Sequence, residues 1–324
     1  MAKQRFLVRF WGVRGSYPTT GAHTLRHGGN TSCVEVQVGR GEGHTLILDA
    51  GSGIIRLGET LMAQSQKRRD SYKEHADYAV HEVERESKLD VSLFITHGHG
   101  DHLIGFPFFA PLFDPHTNLR VFGPQLADQS IEQVVTQLMS PPYFPVDVRS
   151  LPSQRTFHTI DDEQCISWDD AGTKSREPFV TMLPHAMKRE EVCVAAKFTQ
   201  SHPLDGAVIY RIEYAGRCVV YATDVEWQHG CEDAFIEFVR GADVLIHDAQ
   251  YTTTDYERMK RGFGHSTIEM AVEAAHIGHV GQLILFHHEP VYDDDQLDRM
   301  EAAAREQFAH TRSAYEGMEI DLLV

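Results

Sequence analysis

The sequence predicts an α/β protein in which two packed sheets are covered by helices. Three observations carry that expectation: strand-like segments recur in both halves of the chain, helical segments fall between them, and no composition break separates the halves. We therefore expect one domain over residues 1–324, with a polar insertion around 60–88 and a Pro-rich loop around 140–152.

Arg5 to Phe10 and Ser32 to Val38 have strand composition, the second with strict apolar–polar alternation, and Thr45 to Asp49 continues the pattern. Gly12–Ser16, His27–Thr31 and Asp49–Gly53 are Gly-rich loops that read either as simple turn chemistry or as loops lining a site at this edge. From about Leu57 to Lys88 the chain is polar, without an apolar stripe, and reads as a helix running into the exposed insertion. Val91 to Ile95 is an apolar run of strand length. Leu119 to Pro124 reads as a strand and its stop, and Gln125 to Met139 as an amphipathic helix. Pro141, Pro142 and Pro145 then exclude helix. In the second half, Val192–Thr199, Ala207–Ile212 and Arg217–Tyr221 read as strands, Cys231–Val239 as a helix and Ala242–His247 as another strand. A helix from Ser266 to Ala275 is expected to be capped by Ser266, with Glu269 at capping-box distance. Leu283–Phe286 is the last buried strand of this set, and Asp293–Gln307 a closing helix.

A chain of 324 residues with 42% hydrophobic content can bury a sizeable core. It has no apolar run of membrane-spanning length, and no apolar signal core follows Met1–Arg5, so a cytoplasmic protein that avoids membranes is expected. The five cysteines are odd in number and scattered, and are expected as separate buried thiols rather than a disulfide framework or zinc ribbon. A formal charge of −17 disfavours long nucleic acids, whose binding needs clustered Lys and Arg. The basic cluster Lys67-Arg68-Arg69 reads as a solvated helix face. A small phosphate ester stays compatible with this charge, because bound divalent metals supply a local positive field. Oligomeric state is open, a homodimer included.

One stretch stands apart from ordinary loop chemistry. Thr96-His97-Gly98-His99-Gly100-Asp101-His102 follows the apolar run directly and packs three imidazoles and a carboxylate into six residues. Imidazole nitrogen and carboxylate oxygen suit zinc, manganese or iron. A solvated Gly-rich loop has similar composition, but the apolar Leu103–Phe109 behind this one argues for an anchored segment. His202, Asp224 and His287 stand beside or at the ends of other strand-like runs. A lone His in such a place is ordinarily only hydrogen-bonded; several in one chain point to convergence on one edge.

The His-x-His-x-Asp-His stretch and these later residues resemble the signature of the metallo-β-lactamase-fold hydrolases. The resemblance implies a four-layer αββα sandwich holding two divalent metal ions, zinc or manganese, with iron as a further option. It implies His97, His99 and His202 at the first metal, Asp101, His102 and His287 at the second, and Asp224 bridging them. Alignment on Pro290 favours His287 over the adjacent His288. Asp at the bridging position, rather than the cysteine of many β-lactamases, points away from lactam hydrolysis. Gly241 to Tyr251 and Gly264-His265-Ser266-Thr267 resemble the phosphodiesterase branch that includes the transfer-RNA 3′-processing endonuclease. That implies catalytic roles for Asp101, itself a metal ligand, and for the pair Asp248 and His265, with Asp248 standing where the endonuclease has Glu. Phe10 to Ser16 and Gly28 to Ser32 resemble a bacterial subgroup described as cyclic-nucleotide phosphodiesterase-like or phosphonate-pathway-like.

Together these resemblances imply a dinuclear phosphodiesterase that cleaves a small nucleotide diester by metal-bound hydroxide attack, 3′,5′-cyclic nucleotides first. The alternatives are an RNA-processing nuclease, or an ester, thioester or lactam hydrolase that would not need the Asp248–His265 pair. A metal-stabilised binding module is the non-enzymatic reading. Substrate contacts are expected from Asn30, and from Tyr143 and Phe144 in a proline-stiffened loop whose rings could stack on a base.

Overall fold

Period-two burial builds the first sheet. In β1 (Gln4–Gly12), Phe6, Val8 and Phe10 are fully buried while Arg9 reaches Glu35 and Glu319 on the outer face. The computed structural model describes residues 3–41, 43–74, 88–170, 177–183, 188 and 191–324. β1 is followed by β2 (Cys33–Arg40), β3 (His44–Leu48), β4 (Leu89–Phe94), β5 (Thr117–Gly123) and β6 (Gln154–Thr159). Next come β7 (Gln164–Asp169), β8 (Phe179–Met182), β9 (Glu191–Thr199), β10 (Ala207–Tyr214), β11 (Arg217–Ala222), β12 (Val244–Asp248), β13 (Gln282–Phe286), β14 (Thr311–Ser313) and β15 (Glu319–Asp321). Among the described residues they form a seven-stranded sheet, β15-β1-β2-β3-β4-β5-β6, and an eight-stranded sheet, β14-β13-β12-β11-β10-β9-β7-β8.

Three apolar clusters account for four layers. Phe6, Val8, Phe94, Tyr210, Ile246 and Phe286 belong to the core between the sheets. A second cluster joins the outer face of the second sheet to the helices Asp233–Val239, Ile268–Ile277 and Asp294–Gln307. The third joins the first sheet to the helices Ile54–Glu74 and Ile131–Leu138. The molecule is thus a four-layer αββα sandwich, the architecture that the resemblance implies.

Several expectations need correction. The helix Ile54–Glu74 does have an apolar stripe, through Ile54, Leu57 and Leu61. It starts before the polar stretch where the sequence pattern is clearest, and Arg69 ties its later turns to Asp114 at 2.9 Å. The remainder of the expected insertion, 75–87, lies outside the described residues. The helix expected over Gln125–Met139 is shorter, because Leu126 and Gln129 close a turn with Ala127 at φ 50°. The helix begins at Ile131 behind a Ser130–Gln133 capping box. The strands β6, β7 and β8 were not expected at all; β6 extends the first sheet in parallel to β5, while β7 and β8 widen the second. Cys165 and Cys193, on the paired strands β7 and β9, are joined as a disulfide, so five separate thiols is also corrected. Cys33 and Cys218 are buried free thiols, as expected, and Cys231 is half-buried. Among the described residues no helix is long and apolar enough to cross a membrane.

Candidate metal centre

Strand direction explains why distant residues meet. β3 and β4 run parallel in one sheet, and β11, β12 and β13 run parallel in the other, so their carboxyl ends open on one edge. Asp49 follows β3, the His97–His102 loop follows β4, Asp224 follows β11, Asp248 ends β12, and His287 follows β13. Asp49, Asp224 and His287 all adopt left-handed backbone, with φ of 62°, 55° and 60°. That conformation is uncommon for non-glycine residues and gathers at functional sites, where the surroundings hold it.

The expected ligands come together in overlapping groups. Ligand atoms of His97, His99, His202 and Asp224 lie within 4.8 Å of one another, as do those of Asp101, His102 and His287. Asp224 faces both sets with different oxygens. Its Oδ1 is 3.6 Å from His97 Nε2 and 3.9 Å from His202 Nε2; its Oδ2 is 3.1 Å from His102 Nε2 and 3.4 Å from His287 Nε2. His288 points elsewhere, its Nε2 3.0 Å from the Ala314 carbonyl.

The donor set fits divalent metal. His97 Nε2 is buried without a hydrogen-bond partner, an arrangement that a protein interior rarely tolerates for a polar atom with no ligand to meet. The opposite ring nitrogens are held: His97 Nδ1 lies 3.0 Å from Thr96 Oγ1, His102 Nδ1 2.7 Å from Asp49 Oδ2, His202 Nδ1 2.9 Å from the Gly264 carbonyl, and His287 Nδ1 3.0 Å from Gln250 Oε1. Such outer partners set the tautomer and aim Nε2 at a metal.

Burial and ion pairing set the charge states within the group. Burial pushes His97 well below the usual imidazole range, and lowers His99 and His202 too, so these are neutral bases at neutral pH. Burial disfavours the ionised forms of Asp101 and Asp224, yet His102 and His287 outweigh it and hold both below the ordinary carboxylate range. The carboxylates therefore stay anionic, supplying the negative charge that attracts a divalent cation.

Asp248 and His265 adjoin this cluster. His265 Nδ1 lies 2.7 Å from Asp248 Oδ2, and its ring stacks on His287 at 4.9 Å between centroids. Asp248 also accepts from the backbone amides of Asp224, Gln250 and Ser266. Ser266 is not the helix cap: its hydroxyl donates to the Val225 carbonyl, and Thr267 caps the helix by accepting from the Met270 amide. The Thr-x-x-Met spacing carries no capping-box signal, which is why the cap was placed one residue early.

The substrate candidates are less centrally placed. Asn30 is spent locally, its Nδ2 donating to both carboxylate oxygens of Glu316 and its Oδ1 accepting from Ser52 Oγ. Phe144 is partly buried and meets Phe108 edge-on at 5.7 Å, whereas Tyr143 is 82% exposed.

Sequence reasoning missed the supports. Asp49 accepts from the Thr96 amide at 2.8 Å, from Thr96 Oγ1, and from Tyr221 OH at 3.0 Å, besides facing His102. Its signal, an acidic residue directly after a strand, is the one used for Asp224; from sequence the Asp49 loop is placed at the site edge, with no role given to Asp49 itself. Gln250, which bridges His287 and Glu289, had no local signal. The Ser16 amide donates to Asp101 Oδ2 at 2.7 Å, which brings the Gly12–Ser16 turn to the site.

Residues 47–288 match the family profile described as a β-lactamase superfamily domain. The chain belongs to the β-lactamase superfamily. With the fold and the donor set above, this member of the superfamily is a metal-dependent hydrolase. It is 29% identical over 262 residues to ribonuclease Z of Thermoplasma acidophilum, covering 74% of this chain and 81% of the relative. Against ribonuclease Z of Natronomonas pharaonis it is 26% identical over 310 residues, covering 89% and 88%. Among solved structures, the metallo-β-lactamase fold protein YhfI from Bacillus subtilis superposes with a TM-score of 0.61 at 20% identity, over 98% of this chain and 100% of that one. The short form of human tRNase Z gives 0.58 at 20% identity, with the same coverage. At these identities the structural likeness speaks for the fold.

Proposed function

We propose that this hydrolase cleaves phosphodiesters at a two-metal centre, with an RNA strand as the substrate class. The observation that carries the phosphodiester reading is the Asp248–His265 pair, set against the metal-ligating cluster at 2.7 Å from carboxylate to imidazole. His97, His99 and His202 would hold one ion, Asp101, His102 and His287 the other, and Asp224 both. Ions held there would supply an activated water nucleophile and would neutralise charge on the phosphate. Zinc and manganese both suit the ligands.

The chain's own residues supply the rest. Asp248 binds His265 at Nδ1, which leaves Nε2 as the nitrogen for chemistry. Protonated His265 donates from Nε2 to the departing ribose oxygen, the step an alkoxide leaving group needs most. The group Asp224, Asp248, His265 and His287 also has ligand spacing; we read His265 as donor because its Nδ1 is already committed to Asp248.

The choice of RNA over the cyclic nucleotide first expected rests on the relatives, which bear the name ribonuclease Z. The charge of −17 bears on how a strand is held: attraction must come from the metals and a local basic rim rather than from the whole surface. The deciding experiment loads the purified protein with zinc or manganese and compares a 3′-extended transfer RNA, a cyclic nucleotide, bis-p-nitrophenyl phosphate and a thioester. Turnover of the RNA and the simple diester, with the thioester untouched, is expected. Thioester turnover without diester turnover would overturn the reading.

A further inference from the structure

The loop that leads into His265 carries a basic cluster of its own in this acidic chain. Residues Tyr256–Lys260 form a single π-helical turn, and Arg258, Lys260 and Arg261 give it three basic side chains in four positions. Lys67–Arg69 is therefore not the chain's one basic cluster. Met259 interrupts this second cluster, so it does not form a continuous basic run in the sequence.

The loop is fixed, and it touches the centre. Buried Glu226 accepts from Tyr256 OH at 2.6 Å, the Gly262 amide at 2.7 Å and the Gly264 amide at 2.8 Å. The Gly264 carbonyl meets His202 Nδ1, and the next residue is His265. Tyr251 lies edge-on to His265 at 5.9 Å, and Lys260 Nζ sits 5.1 Å from the centroid of Tyr251 and 5.5 Å from that of Phe263. Lys260 is thus one ring removed from the proposed proton donor.

The lysine pairs with Glu289 at the outer limit of an ion pair, and, after the hydrogen bond from Tyr292, its charge helps to hold Asp255 below the ordinary carboxylate range. Its ion-pair contact, Glu289 Oε1, is 4.0 Å away, and the other oxygen of Glu289 accepts from Gln250 Nε2 at 2.7 Å. Glu226 already fixes the loop through three hydrogen bonds, so a lysine latch is not needed to order it. Phe263, meanwhile, keeps 54% of its surface exposed. A fixed ammonium beside a half-exposed ring matches the two parts of a nucleotide, since the ammonium pairs with phosphate and every base has a face for an aromatic ring.

We propose that Lys260 and Phe263 form a nucleotide subsite next to the scissile phosphate, Lys260 pairing with the adjoining phosphate of a single strand and Phe263 stacking on its base. This rests on the phosphodiester reading above and names how the strand is gripped.

The test separates binding from turnover. Binding of a fluorescein-labelled single-stranded ribo-oligonucleotide to the metal-loaded full-length protein is followed by anisotropy across a salt series, for the wild type, Lys260→Gln, Lys260→Arg and Phe263→Ala. Lys260→Gln should weaken binding and flatten the log–log salt dependence by about 0.7, the share of one phosphate contact, while Lys260→Arg retains most of both. Phe263→Ala should weaken binding by about 5- to 150-fold, as loss of one stacked base does, without changing the salt slope. In turnover, each loss should appear in KM for the oligonucleotide and not for bis-p-nitrophenyl phosphate, for Phe263→Ala by about the same 5- to 150-fold. Unchanged oligonucleotide affinity in Lys260→Gln and Phe263→Ala, or no oligonucleotide binding by the wild type, overturns the subsite. Failure of the phosphodiester reading looks different, as absent diester turnover by a wild-type protein that still binds metal.

Discussion

Asp49 Oδ2 lies 2.7 Å from His102 Nδ1, and the same fully buried carboxylate accepts from Thr96 and Tyr221. One side chain thus joins the end of β3, the start of the His97–His102 loop and the facing strand β11. Asp49→Ala should cost about 3–5 kcal/mol of stability, the usual result of removing one partner from a buried charged network. Metal affinity should fall about 10–100-fold, because His102 loses its orienting partner. Tyr221→Phe removes only one bond and should cost about 1 kcal/mol. Thermal melting with a metal titration checks both; an Asp49→Ala protein with wild-type affinity would show that His102 needs no support.

Asp224 divides its two oxygens between the two histidine sets. Asp224→Ala should therefore lose both metals, or keep one weakly. His287→Ala should lose one equivalent. His288→Ala removes a buried ring on the Ala314 side and should lower the melting temperature while keeping both metals. Elemental analysis of protein purified without chelator measures all three, and two equivalents in Asp224→Ala would remove it from the bridging position.

Gly15 leaves room for a ligand. A Cβ there would stand 2.4 Å from Cε1 and Nδ1 of the His287 ring, closer than packed atoms allow. Gly15→Ala should push His287 aside and weaken the second metal while the first stays bound. Normal stoichiometry and affinity for both ions would mean that the turn yields instead of the histidine.

His265→Ala should lower kcat on an RNA diester by about 10²–10⁴, the usual worth of a general acid. Loss on bis-p-nitrophenyl phosphate should be much smaller, since p-nitrophenolate leaves without a proton, and metal content should hold. Equal losses on both substrates would assign His265 to phosphate binding instead. Asp248→Asn should be severe: both oxygens of Asp248 accept from N–H groups, so the new amide NH₂ must face a donor. Its melting temperature should fall as well as its kcat.

The chain's local order was enough to read much of this protein. Apolar periodicity marked most strands of both sheets, since burial of one face leaves its period in the sequence. The His97–His102 stretch announced metal chemistry because four of its donors are neighbours in the chain. His202, Asp224 and His287 were legible one by one from their places beside or at strand ends, and their grouping from a resemblance.

What only the tertiary structure decided are relationships between residues far apart in the chain. Asp49 meets its partners across 47, 53 and 172 residues, and Gln250 meets His287 across 37. The same holds for which Asp224 oxygen faces which histidines, for the pairing of Cys165 with Cys193, and for the seating of Lys260 between Tyr251 and Phe263. A carboxylate, an amide or a lysine carries no periodicity to say what it will face. Its partner is fixed when parallel strands bring their carboxyl ends to one edge, and burial then requires every polar group there to find its match.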